Sequence, residues 1–134
     1  MRMTLMVPLI LGLSVGPLVA SAKTLAEEEA INAGLFTVAV ANKIRKRCDA
    51  IAPRMFRAMN YLESLKAEAR NRGYSDAEIE AYVSDPVEKD KMDARRDAYI
   101  RSHGADPDDG PSMCVLGQRE IASQSAIGKL LRAK

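Results

Sequence analysis

The chain has 134 residues, 20 of them basic and 18 acidic, with one histidine and two cysteines. That length suits one domain and not two. The near-balance of charge argues against a dedicated nucleic-acid binder. A single histidine removes multi-histidine metal sites and leaves a Ser-His-Asp arrangement hard to defend.

Residues 1–22 read as a cleavable secretory signal. Arg2 supplies a short positive region. Leu5 to Val19 is apolar, broken only by Pro8, Gly12, Ser14, Gly16 and Pro17, and Ala20-Ser21-Ala22 offers the small residues a signal peptidase reads. The run is too short and too interrupted for a comfortable membrane span, which needs about 20 mostly apolar residues. Residues 23–134 are then a single domain, and with Arg2 gone 19 basic residues face 18 acidic ones. The expected location is periplasmic or secreted. No cysteine lies near the cleavage point, so no stable membrane anchor is expected after it.

Thr24-Leu25-Ala26-Glu27 has the form of a capping box, and Glu27, Glu28 and Glu29 suit the positive end of a helix dipole. Apolar residues recur at Ile31, Leu35 and Val38, and at Val40, Ile44, Cys48 and Ile51, in steps of three and four. Pro53 predicts a break between Ile51 and Arg54. A second helix is expected over 54–71, with Met55, Met59, Leu62 and Leu65 as its stripe and Gly73 as its cap. Ser75-Asp76-Ala77-Glu78 is a further capping box, opening a short helix through Val83. Asp85-Pro86-Val87-Glu88 starts the next, thickly charged to Arg101 and ended by Gly104.

His103 to Ser112 is the one clear loop, punctuated by Gly and Pro. A last helix begins near Pro111 or Ser112 and carries Cys114, Leu116 and Ile121. Ile127, Leu130 and Leu131 read as a short amphipathic helical end, with Lys129, Arg132 and Lys134 outward. No strand-length alternation is visible. The fold class is all-α, a small bundle of four to five helices with one disulfide. An even cysteine count in an exported chain pairs Cys48 with Cys114, tying the end of the first helix to the start of the last.

Three stretches carry a resemblance. They are Ile44-Arg45-Lys46-Arg47-Cys48-Asp49, then Gly73 to Val83, and Cys114-Val115-Leu116-Gly117 through Glu120-Ile121-Ala122 to Arg132. Together they resemble a family of short exported proteins from alphaproteobacteria, known only as a domain of unknown function. The resemblance implies export and the disulfide, and carries no activity or functional residue. A looser likeness is to small periplasmic acid chaperones and to relatives among effector-immunity proteins. It is architectural only.

No catalytic or metal constellation stands out. Asp106, Asp108 and Asp109 precede Gly110, but out of register for a calcium loop, and Gly117 stands where that loop needs its Glu. Turn formation and capping explain them better. Paired carboxylates such as Glu78 and Glu80, or Asp90 and Asp93, are ordinary exposed helical charges. Met55, Met59, Met92 and Met113 read as core filler. His103 reads as a surface residue at a helix end. Lys43, Arg45, Lys46, Arg47, Arg54 and Arg57 form the densest basic stretch and the candidate interaction surface, for an acidic protein face or lipid headgroups. The expected function is a small exported non-catalytic interaction protein of the cell envelope, with an envelope protein as its partner and no cofactor. The alternatives are a periplasmic acid chaperone and an enzyme whose lone carboxylates and hydroxyls escape motif reading.

Overall fold

The computed structural model describes residues 23–134, so the expected signal segment lies outside the described residues. Five α-helices run in chain order: α1 (Glu29–Arg47), α2 (Met55–Asn71), α3 (Asp76–Ser84), α4 (Pro86–Ser102) and α5 (Gly110–Ser123). Two short strands, β1 (Ile51–Pro53) and β2 (Leu131–Ala133), pair antiparallel with Ala52 opposite Arg132. The domain is thus all-helical apart from this ribbon.

Local chemistry explains most helix ends. Ser75 and Glu78 close their capping box on α3. The Asp85 carboxylate accepts from the amides of Val87 and Glu88, and Pro86 fills the first position of α4. Asp109 caps α5 by accepting from the Ser112 amide at 2.9 Å. Gly73 and Gly104 end their helices at φ values of 95° and 79°, which glycine adopts without a Cβ clash.

The structure departs from the sequence expectation at both ends of α1. The Thr24–Glu27 box closes only a 3-10 turn, Leu25–Glu27, and α1 starts at Glu29. Glu28 leaves the helical region at ψ 89° and turns its carboxylate to Arg72 and Tyr74. At the other end α1 stops at Arg47, because Cys48 is extended and leads into β1. The ribbon is the second correction. Residues 127–131 are not an amphipathic helix but a 3-10 turn, Gly128–Leu130, leading into β2. There the Arg54 amide donates to the Leu130 carbonyl at 2.8 Å, and the Lys134 amide to the Ala50 carbonyl at 3.0 Å.

Cys48 and Cys114 form the disulfide, with Cα atoms 5.1 Å apart, joining the end of α1 to α5. Around it lies the main core: Val40, Ile44, Ile51, Ile100, Met113, Leu116, Ile127 and Leu131. Each such fully buried aliphatic side chain contributes roughly 1.5–3 kcal/mol relative to exposure. The loop after α4 belongs to this core, since Ala105 and Pro107 are buried. Helix α1 is the axis, touching α2, α4, α5 and β1. Gly117 lets α5 lie against Ile44 and Ile51, where a Cβ would collide.

A smaller second cluster joins Leu25, Ile31, Ala69 and Ile79 beneath α3. It is tied by Asn32, whose amide donates to the carbonyls of Leu25 (2.8 Å) and Glu28 (2.9 Å) and whose oxygen accepts from Tyr82 (2.5 Å). Of the four methionines expected in the core, only Met113 is fully buried. Met92 is half-buried, and Met55 and Met59 are exposed. Helix α2 leaves the start of its apolar stripe uncovered: Met55 and Met59 are exposed, Leu62 and Leu65 are half-buried, with Leu65 opposite Gly34 of α1, and only Ala69 is fully buried.

Candidate functional site

Helical spacing from Arg54 onward places Arg54, Arg57, Asn60 and Tyr61 on one face of α2. That face forms one wall of an open groove of about 1020 Å³. The opposite wall is the segment from the end of α5 to β2. Its sharp turn is made by Gln124, at φ 51° and ψ 38°, the only non-glycine residue with positive φ among the described residues. A residue with a Cβ is uncommon there, and such positions concentrate at functional sites.

Glu120 pins this wall from below. Its buried carboxylate accepts from Tyr99 Oη at 2.6 Å and from the Ser125 hydroxyl. Burial, reinforced by the Glu120 carboxylate, pushes the Tyr99 phenol up to about 12. Ser125 Oγ in turn accepts from the Gly128 amide at 2.9 Å. Gly128 has no room for a Cβ, because the Glu120 carbonyl occupies that space. The wall is therefore held by buried hydrogen bonds and close backbone packing.

Two arginines clip α2 to that wall. Arg54 Nε donates to the Leu131 carbonyl at 3.0 Å, and Arg57 Nη1 to the Lys129 carbonyl at 3.2 Å. A guanidinium has five N–H donors, so each keeps most of its donor capacity. Lys129 adds a third cation, and Asn60, Gln124 and Tyr61 add neutral polar groups. No carboxylate lines the groove, and among the described residues none lies within ion-pair distance of Arg54, Arg57 or Lys129. Planar, donor-rich cations without an internal counter-ion suit a carboxylate or a phosphate.

The basic stretch read from sequence is divided by the fold. Lys43 and Arg47 turn to Asp108, at 3.7 and 3.0 Å. With Lys46 they border a recess that also holds Asp93 and Arg96. Arg45 is exposed on α1. Only Arg54 and Arg57 reach the groove. Lys129 joins them from a segment that sequence reasoning placed in a different element, and no local signal links it to them.

The acidic loop serves the backbone: Asp106 Oδ1 accepts from the Asp108 amide at 2.9 Å, and Asp109 caps α5. Among the described residues no cluster of three His, Cys, Asp or Glu side chains is placed to hold a metal ion. His103 is exposed, stacked on Tyr99 with ring centroids 4.0 Å apart. A second cavity, about 350 Å³ and mostly apolar, lies under Leu25 and Ile31, between α2 and α3. Three residues after Leu25, burial disfavours the ionised Glu28, but hydrogen bonds from Arg72 and Tyr74 outweigh this and hold the carboxyl below its ordinary range.

No curated protein and no solved structure matches the chain. The family of unknown function DUF5333 matches it over residues 23–132, which takes in every helix, the disulfide and both walls of the groove. The chain belongs to the DUF5333 family.

Proposed function

We propose that the protein is an exported, non-catalytic binding protein of the cell envelope, and that the basic groove between α2 and the 124–130 segment is its binding site for an anionic partner. The observation that carries this reading is the groove's lining of three cations and no carboxylate, in a chain whose charges otherwise nearly cancel. Export is supported by the apolar N-terminal run ending in Ala20-Ser21-Ala22 and by a disulfide, which persists in oxidising compartments. A binding role fits a groove that offers hydrogen-bond donors and brings no nucleophile next to a general base.

The test is an NMR titration of the disulfide-bonded protein with inorganic phosphate and, separately, with a short polyglutamate peptide. Amide shifts are expected at Arg57, Tyr61, Gln124 and Lys129, and they should weaken with salt. Arg57→Gln and Lys129→Gln should each weaken binding about tenfold, the scale of one charge-assisted contact. Shifts spread evenly over all exposed cations, or unaffected by these two variants, would overturn the assignment.

A second reading, an acid-triggered chaperone, draws support from the Glu28–Arg72 pair and from the apolar cavity lined by Leu25, three residues before Glu28. Protonating Glu28 would loosen the segment that covers Leu25 and expose that cavity. Suppression of client aggregation at acidic pH, and not at neutral pH, is its expected signature.

A further inference from the structure

We infer that the protein pairs with a second copy of itself, the α2 helices of the two copies packing antiparallel about a two-fold axis beside Met59. Among the described residues six large apolar side chains are exposed, and three of them fall within five positions of α2: Met55 (58%), Phe56 (88%) and Met59 (53%). A fourth, Val83 on α3, lines with Met59 the apolar cavity of about 350 Å³. The floor of that cavity is the buried Leu25, Ile31 and Ala69, while exposed Met59, Glu63 and Lys66 form its mouth on α2.

In a helix of 3.6 residues per turn, consecutive side chains are about 100° apart. Met55, Phe56 and Met59 then centre on the same side of α2 as Glu63 and Lys66, so the exposed apolar turn and the cavity mouth share one face. Arg54 and Arg57 point to the opposite side, and the basic groove plays no part in this contact. In an antiparallel two-fold pair, residues of the same angular sector meet, at positions reversed through the axis. With the axis beside residues 59 and 60, Met55 of one copy meets the mouth between Leu62 and Lys66 of the other, residues within about 20° of its own sector. Phe56 likewise meets Ala67 and the stem of Glu63. Each contact is made twice, as an isologous interface requires.

Area and charge both favour a second copy. Taking about 200 Å² for a large side chain, the exposed parts of Met55, Phe56 and Met59 amount to roughly 400 Å² per copy. A standard interface removes about 800 Å² from each partner, a little over half of it apolar. These three side chains thus supply nearly all the apolar area such a dimer needs, and Val83 adds to it. The charges on this face of α2 are matched within one copy, Glu63 with Lys66 at 3.4 Å and Arg70 with Asp76 at 2.6 Å. That leaves Glu80, on the α3 side of the mouth, as the one unmatched charge, whereas the groove would set three cations against three. In the dimer each copy covers the other's cavity, and the two basic grooves face outward.

The experiment is sedimentation equilibrium of the disulfide-bonded protein over a range of concentrations. A monomer–dimer equilibrium in the micromolar range is expected. Phe56→Ser should weaken it at least about thirtyfold, the scale of one buried aromatic anchor. The ring stands in solvent in the single copy, so this variant should keep the parent's Tm and leave the phosphate titration of the groove unchanged. Met59→Cys should link to its own counterpart under mild oxidation, whereas Val115→Cys, at an exposed position on α5, should not. A protein that is monomeric at every concentration would overturn the inference. So would a dimer that Phe56→Ser leaves intact, or one that Val115→Cys links as readily as Met59→Cys.

Discussion

Tyr99 and Glu120 show how much of the groove depends on single side chains. The folded-state phenol of Tyr99 lies at about 12, above its ordinary value of about 10. A raised pKa means that the protonated form is the one stabilised. Its contribution is complete below the unfolded value and is lost as pH rises from about 10 through about 12. Tyr99→Phe should therefore flatten part of the alkaline loss of stability, measured by urea unfolding across that range. Tyr74 and Tyr82, also shifted upward by burial first, leave some slope behind. At neutral pH the same variant removes the donor to Oε1 of the buried Glu120 carboxylate, leaving only Ser125 on Oε2, and should cost roughly 1–3 kcal/mol. Gly128→Ala is predicted to be of similar severity, about 1–3 kcal/mol in a thermal melt, because rigid backbone of Glu120 stands where the Cβ must go. Gly34→Ala should cost less, since the obstacle there is the mobile end of Leu65.

At the level of elements, the sequence is most informative where structure is local. Ser75 with Glu78, and Asp85 with Pro86, lie within four residues of what they organise, so the starts of α3 and α4 are readable. The β1–β2 ribbon is not. Ile51-Ala52-Pro53 and Leu131-Arg132-Ala133 are each too short to show alternation, and Ile51 pairs with Ala133, far away in the sequence. The stripe of Met55, Met59, Leu62 and Leu65 correctly marks one face of α2. Periodicity identifies a face, however, and says nothing of whether another element covers it. The groove has the same character: Arg54 and Arg57 are visible as basic, while Lys129 and Gln124 arrive by way of the 3-10 turn and ribbon. The disulfide acts at this scale as well, fastening α1 to α5 across 66 residues. Replacing both Cys48 and Cys114 by serine should lower unfolding free energy by about 4 kcal/mol on the chain-entropy argument, checked by denaturant titration.

Acid should act on the whole molecule unevenly. The Glu28 carboxyl titrates below its ordinary range in the folded state, because hydrogen bonds from Arg72 and Tyr74 outweigh the burial that opposes ionisation. A depressed pKa gives stability that is present above the unfolded value and lost as pH falls through the folded one, so the loss belongs below about pH 4. The groups around this pair are Lys23, Glu27 and Glu68, and only Lys23 among them favours the ionised Glu28. Amide exchange is expected to accelerate first near Leu25, Asn32 and Ile79, while Ile44 and Leu116 stay protected by the disulfide-bonded core. Glu28→Gln should remove the early phase.

The ribbon also sets the order in which the protein can be built. Arg54 is bonded to Leu131 across 77 positions of sequence, and the main core takes its final aliphatic side chains from Ile127, Leu130 and Leu131. Contacts that distant form late and slowly. As a nascent chain emerges, α1 to α4 can coil, but the centre of the domain stays unfilled until residue 133 is free to pair. The polypeptide therefore remains pliable until residues 127–133 are available to it, and only then becomes a resistant object.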